Sequence, residues 1–130
     1  RLLPQNKWAK VNVITCAAPN LRERPSNAFN TGDGNQAVKI SPAQLEQIHI
    51  QRGRKILATA AANKNEVIIL GAFGCGAFMN NPEIVANAYT KLVEEFKNAF
   101  KVIEFAIYCS PRDDSNFRIF SDRIKGIVNC

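Results

Sequence analysis

Val67-Ile68-Ile69-Leu70-Gly71-Ala72-Phe73-Gly74-Cys75-Gly76-Ala77-Phe78-Met79-Asn80-Asn81-Pro82 is the most informative stretch of this chain. Its first four residues are apolar without a break, the habit of a short strand covered on both faces. Its end opens a helix, with Asn81 at the N-cap, Pro82 at the first helical position and Glu83 in the positive first turn. Between the two lies a glycine-rich turn. Glycine lets backbone amides approach a ligand with no Cβ in the way. With the free N–H groups and partial positive charge of a helix start, such a turn suits a phosphate or diphosphate. The same spacing also allows a plain strand-to-helix turn that only relieves crowding.

Two familiar phosphate loops do not fit. Gly71 and Gly76 have the spacing of a Walker A loop, but Ala77-Phe78 stand where Lys and Ser or Thr are required. Gly74-Cys75-Gly76 begin a dinucleotide fingerprint, but Met79 occupies its third glycine position. The helix also starts too late, and no acid near position 98 awaits a ribose hydroxyl.

On either side the chain alternates strand and helix. Val11–Ala17 is rich in β-branched residues and closes at Ala18-Pro19-Asn20, and Val102–Tyr108 closes at Ser110-Pro111. Ser41-Pro42-Ala43-Gln44 reads as a capping box that opens a helix with Leu45, Ile48, Ile56 and Ala60 on its apolar stripe. Gly53 weakens its middle by about 1 kcal/mol relative to Ala. The helix after Pro82 carries Val85, Ala88, Leu92, Phe96 and Ala99. A third, capped by Asp114 or Ser115, carries Phe117, Phe120, Ile124 and Ile127.

Three strands alternating with three helices predict an α/β fold with a largely parallel sheet and helices on both faces. Ligands in such sheets sit beyond the carboxyl ends of the strands, here 18–20, 71–78 and 108–113. Leu21–Ile40 has no hydrophobic period and reads as a lid, insertion or crossover. Asp33 and Asn35 flank Gly34 as in a calcium loop, but the remaining ligands are missing.

The 130 residues make one domain, 1–130. With 46% hydrophobic and 22% charged residues, the chain is neither a disordered tail nor a coiled coil. No apolar run nears the ~20 residues that cross a bilayer, so no membrane partner is expected. The 17 basic residues outnumber 11 acidic ones for a net charge of +6, which attracts an anionic ligand. The basic residues are scattered, however, and Arg52, Arg54 and Lys55 form the densest cluster on what reads as a solvated helix face. Cys16, Cys75, Cys109 and Cys130 show no zinc spacing with the single His49. Three of them sit in or just after apolar strand-like runs and read as small buried hydrophobes, in a reduced, cytoplasmic setting. No metal or cofactor is expected.

The strings Val13-Ile14-Thr15-Cys16-Ala17-Ala18-Pro19-Asn20, Arg54-Lys55-Ile56-Leu57-x-x-Ala60 and Gly71–Phe78-x-Asn80-x-Pro82 occur in that order. With Phe105-Ala106-Ile107-Tyr108 behind them, the chain from about Lys10 to Phe120 resembles the microbial-type poly(ADP-ribose) glycohydrolase family, a branch of the macrodomains. The resemblance implies a partial three-layer α/β/α macrodomain that binds ADP-ribose, poly(ADP-ribose) or ADP-ribosylated proteins. It also implies cleavage of the ribose–ribose bond of the polymer. The family's diphosphate loop corresponds to Gly71, Phe73, Gly74, Cys75, Gly76, Ala77 and Phe78, with the amides of Gly74, Cys75, Gly76 and Ala77 toward the phosphates. Phe78 matches the aromatic that lies against the ribose beside the scissile bond. An uncharged loop can hold a diphosphate through oriented amides, so the lack of Lys is no objection.

The resemblance breaks at the catalytic signature. In the family, three consecutive glycines are followed by Gln-Glu-Glu, whose last Glu protonates the departing ribose oxygen, and both lie upstream of the Val-Ile-Thr strand. That segment is expected to be missing from the N-terminal side of this chain. Glu94-Glu95, its paired carboxylates, sit mid-helix without Gln or glycines nearby. Glycoside cleavage needs a positioned acid, so no catalytic residue is assigned.

Pro19, Asn20, Tyr108, Asn116 and Phe117 are further candidates for ligand contact, with Phe117 equally suited to the core. His49 reads as a surface or half-buried histidine, Trp8 as core or cover, and Cys75 as either a small residue in a turn or a thiol activated by nearby amides. The leading expectation is the ADP-ribose-binding portion of a poly(ADP-ribose) glycohydrolase. A non-catalytic ADP-ribose reader is the alternative, and a basic nucleic-acid module ranks last, since aromatic and basic residues do not interleave.

Overall fold

The structure, a computed structural model, describes residues 3–26 and 34–124. Among these, regular structure before position 41 is confined to a 3-10 turn at Gln5–Lys7. Then follow α1 (Pro42–Ala62), β1 (Val67–Leu70), α2 (Pro82–Phe96), β2 (Val102–Phe105) and α3 (Ser115–Ile124). The α/β class with a parallel sheet expected from the sequence holds for this part of the fold, with two strands among the described residues in place of three.

The helix starts are built as their residues dictate. Ser41 Oγ accepts from Gln44 N at 3.2 Å, while Gln44 Oε1 accepts from Ser41 N at 3.1 Å, closing the capping box. Asn81 Oδ1 accepts from Glu83 N at 2.9 Å at the start of α2. At α3 the accepting side chain is Asp113, whose Oδ1 takes Ser115 N at 3.0 Å. Asp114 instead pairs with Arg118. Helix α1 ends where Lys64 enters the left-handed region at φ 57° and Asn65 donates both its backbone N–H and its side-chain amide to Ala60 O.

Strands β1 and β2 pair in parallel, with Val67 opposite Val102 and Leu70 opposite Phe105 and α2 as the crossover. The core lies between this sheet and the helices. Leu57 and Ala60 from α1, Ile68 and Leu70 from β1, Val85, Tyr89 and Leu92 from α2, and Phe120 from α3 form one cluster. Each fully buried large apolar side chain there contributes roughly 1.5–3 kcal/mol.

Four expectations are corrected. Val11–Ala17 is not a strand: it has no ladder bonds, and Val11 and Val13 are 76% and 79% exposed. Residues of this segment, Lys10 to Cys16, face the edge of β1 across a cleft of about 730 Å3. β-Branching expresses fit to a half-buried pleated surface, and this segment is not laid on one. Secondly, β1 is not covered on both faces. Ile68 and Leu70 are buried, but Val67 and Ile69 are 52% and 65% exposed, so the helices pack on one face of the two described strands.

Thirdly, the stripe of α1 runs through Leu45, His49, Gly53, Leu57 and Ala60, while Ile48 and Ile56 flank it. Gly53 is there for close approach, since a Cβ on it would lie 2.3 Å from Leu92 Cδ1. Fourthly, Phe117 is 47% exposed and leaves the core to Phe120, and Ala99 lies exposed beyond the end of α2. Trp8 is also exposed, and Cys16 and Cys109 are exposed free thiols rather than buried hydrophobes. Ile127, Cys130 and Asp33, with residues 27–32 before it, lie outside the described residues. Among the described residues no helix is long and apolar enough to cross a membrane.

Candidate functional site

The turn from β1 to α2 is pinned from beneath by one buried side chain. Asn80 is 2% exposed, and its Nδ2 lies 2.7 Å from Pro19 O, 3.0 Å from Gly74 O and 3.2 Å from Phe78 O. Three carbonyls around one atom require the amide nitrogen there, which turns Oδ1 toward His49 Nε2 at 2.8 Å. The Asn80 backbone N–H also returns to Gly74 O at 3.0 Å. This arrangement needs Met79 at φ 55° and Gly74 at φ 79°. A Cβ on Gly74 would meet Asn80 Nδ2 at 2.8 Å and Ala18 Cβ at 2.7 Å, so glycine is required both for backbone conformation and for space.

Above this anchor the loop presents backbone. Among the described residues the N–H groups of Gly74, Gly76, Ala77 and Phe78 have no protein acceptor. Cys75 is different: its N–H is spent on Ala72 O at 3.0 Å and does not point to a ligand, contrary to the expectation for that amide. A Cβ on Gly76 would meet nothing within 4 Å, so the space over it is open. The loop is uncharged, and the amino end of α2 behind it adds the positive end of a helix dipole.

The expected site residues separate into distinct places. Gly71 begins the loop at the carboxyl end of β1. Phe73 turns inward, packing on the core and meeting the His49 ring edge-on at 5.7 Å between centroids. Phe78 is half-buried, with the Arg22 guanidinium 5.7 Å over its ring and its carbonyl accepting from Leu21 N. Pro19 touches the loop through its carbonyl. Asn20 donates to Pro25 O at 3.2 Å and accepts from Arg22 Nε at 3.0 Å. Tyr108 is 86% exposed, and Asn116 is half-buried on α3 beside exposed Phe117.

Burial reverses two readings of reactivity. The Cys75 thiol is pushed up to about 12 by desolvation, so it is neutral at physiological pH and not an activated nucleophile. His49, read as a surface or half-buried histidine, is fully buried. Since Asn80 Oδ1 accepts, His49 Nε2 carries the proton, and the buried Nδ1 is left without a partner.

Burial holds the His49 pKa below its ordinary value; the Asn80 bond opposes this and the Arg52 charge adds to it. A depressed folded-state value gives stability that is complete above the unfolded value of 6.5 and is lost as pH falls through the folded one. Thermal melts should therefore show the melting temperature dropping between pH 7.5 and 5.5, with the drop removed in His49→Gln. A slope equal in both proteins contradicts this assignment.

Sequence reasoning missed His49, Asn80, Arg22 and Arg52, whose Nη1 donates to Ala17 O at 2.6 Å. Asn80 carried one available signal: it precedes Asn81, and only one Asn is needed to cap α2. Asn80, Ala17 and the Phe78 ring, which meet His49, Arg52 and Arg22, are distant from them in sequence and left no signal. Among the described residues no three His, Cys, Asp or Glu side chains converge as metal ligands.

Comparison with known proteins places this geometry. No family model matches the chain. No curated protein matches it. Solved structures do. Poly(ADP-ribose) glycohydrolase (PARG) from Deinococcus radiodurans, in complex with ADP-ribose, is 32% identical over 67% of this chain and 37% of its own, with a TM-score of 0.58. The apo form of that protein matches at 31% identity over 65% and 36%, with a TM-score of 0.58. PARG from Thermomonospora curvata is 27% identical over 62% and 31%, with a TM-score of 0.59. The chain thus spans about a third of the length of these proteins. By fold and by sequence over the matched part, the chain is PARG-like, similar to the bacterial poly(ADP-ribose) glycohydrolases.

Proposed function

We propose that the chain binds ADP-ribose, with the diphosphate lying across the N–H groups of Gly74, Gly76, Ala77 and Phe78. The observation that carries this reading is the set of loop amides without a protein acceptor beneath open space at Gly76. Four oriented donors and a helix dipole replace the water of a dianion without a cationic side chain. Gly71, Phe73 and Cys75 shape the loop from within, and Phe78 offers an aromatic surface to the adjoining ribose. The exposed rings of Tyr108 and Phe117, with Asn116, follow β2 and are the surfaces on which adenine would stack or bond. Pro19 contributes through its bond to Asn80, and Asn20 through the turn that carries Arg22 toward Phe78.

A ligand held in this way leaves its ribose bond in place until an acid protonates the departing oxygen. Together with a Gln-Glu-Glu segment of the kind the family carries, the chain would form part of a hydrolase for ribose–ribose bonds in ADP-ribose polymers. Glu94 pairs with Lys97 and Glu95 with Arg54 on the outer face of α2, so neither is that acid. The alternative, an ADP-ribose reader, shares the binding site and dispenses with the acid. PARG from Deinococcus radiodurans is solved in complex with ADP-ribose, which supports the ligand in either case.

Calorimetric titration tests the reading. ADP-ribose should bind, and adenosine, which lacks the diphosphate, should bind at least ~10-fold more weakly. Equal affinity for the two would remove the loop from the site, and no heat with ADP-ribose would end the reading. Steep salt dependence with indifference to ADP-ribose would instead favour a nucleic-acid module.

A further inference from the structure

We propose that His49 is a positioning residue for ADP-ribose: through Asn80 it locks the Gly74–Phe78 backbone in its ligand-receiving form. The inference rests on the diphosphate reading of that loop and adds the device that preorganises it.

The chain of contacts is short and continuous. His49 stands on α1 with its ring closed off from solvent and braced by Phe73 edge-on at 5.7 Å. Its Nε2–H donates to Asn80 Oδ1 at 2.8 Å. That bond fixes the amide plane of Asn80, whose Nδ2 then reaches the carbonyls of Gly74 and Phe78 at the two ends of the loop and Pro19 across from it. Holding the carbonyls at both ends of this segment fixes the run between them, in which the N–H groups of Gly76, Ala77 and Phe78 have no protein acceptor. Two left-handed residues, Gly74 and Met79, are kept in place by the same bonds. Such conformations persist only where the surroundings over-determine them, and they cluster at ligand sites.

His49 also uses a costly arrangement for a merely structural bond. Its Nδ1 is buried without a partner, which an apolar ring of similar size would avoid. The donor at Nε2 is what such a ring would lack. Without it Asn80 Oδ1 becomes a buried acceptor with no donor, and its amide is free to turn away from the loop carbonyls. A loosened loop must then be ordered at the moment of binding, which weakens affinity without removing any atom that touches the ligand.

The test compares His49→Phe, which keeps a flat ring without the donor, with His49→Gln, whose side-chain amide nitrogen takes the place of Nε2. In calorimetry with ADP-ribose, H49F should bind roughly 10-fold or more weakly than the parent chain, and H49Q within about 3-fold of it. Hydrogen exchange should show faster exchange at residues 74–80 in H49F, with α1 and α2 still protected. Should H49F fail to fold, the parent chain supplies the measurement: the His49 Nε2 proton resonance should shift as ADP-ribose saturates the protein. Parent-like affinity in H49F, an equal loss in H49Q, or an unmoved Nε2 resonance at saturation overturns the proposal while leaving the loop reading intact. A parent chain that does not bind ADP-ribose overturns the loop reading itself, and the role of His49 toward that ligand falls with it.

Discussion

Gly76→Val should abolish ADP-ribose binding while leaving the fold unchanged. Gly76 has ordinary backbone angles, unlike Gly74, and a Cβ placed on it meets no atom within 4 Å. The valine side chain therefore costs the free protein little, and the melting temperature should stay within about 2 °C of the parent. In the proposed complex that open space is filled by phosphate oxygens in contact with the loop amides. An isopropyl group there blocks their approach, and the affinity should fall at least ~100-fold, equivalent to about 2.7 kcal/mol. Calorimetry and a thermal melt on the same sample decide it. Unchanged affinity places the diphosphate elsewhere, and a lost transition shows that Gly76 serves the fold.

Gly53→Val should give the largest loss of stability, about 3 kcal/mol, or roughly 10 °C in melting temperature. A Cβ on Gly53 falls 2.3 Å from Leu92 Cδ1, with Tyr89 Cζ at 3.5 Å, and both neighbours are buried. Valine adds two further methyl groups at a site where α1 and α2 already touch, and β-branching forfeits part of the helix propensity gained over glycine. Leu92 cannot swing away without displacing the core around it. Gly53→Ala should be milder, because the ~1 kcal/mol advantage of alanine in a helix offsets part of the overlap. Adding Leu92→Ala to Gly53→Val should recover some of the loss. If it recovers none, the clash is not the cause.

These two glycines show how much of the molecule was legible in the sequence. The loop Gly71–Phe78 announced itself because glycine density, a preceding apolar strand and a capped helix are all local features. Gly53 carries no comparable mark. Its meaning comes from Leu92, thirty-nine residues away, and in the linear chain it reads only as a defect in a helix. Cys75 lies between these cases. Its place in the loop was plain, but whether its thiol is activated or silenced depends on how deeply the core buries it.

Val11–Ala17 and His49 failed in opposite directions. The first has the composition of a strand, but pairing needs a partner edge at ladder distance, and here a cleft intervenes. The second reads as a surface or half-buried histidine until α1 is rotated so that Leu45, Gly53 and Leu57 face inward. That rotation is set by which side of the helix the sheet and α2 can cover best, a property of several elements at once. It brings His49 against Asn80.

Local chemistry written along the chain settled the helix starts at Ser41 and Asn81, the α/β class of fold, the strand Val67–Leu70 and the glycine-rich turn that follows it. Those features depend on residues within one turn or on a short-range alternation, so neighbours in sequence suffice to specify them. Which face of the sheet is covered, which amides of the loop remain available, and which side chain anchors it from below were resolved by packing. The first and the last of these turn on contacts between segments thirty or more residues apart, His49 with Asn80 and Asn80 with Pro19 among them, whose energies exist only once the elements have come together.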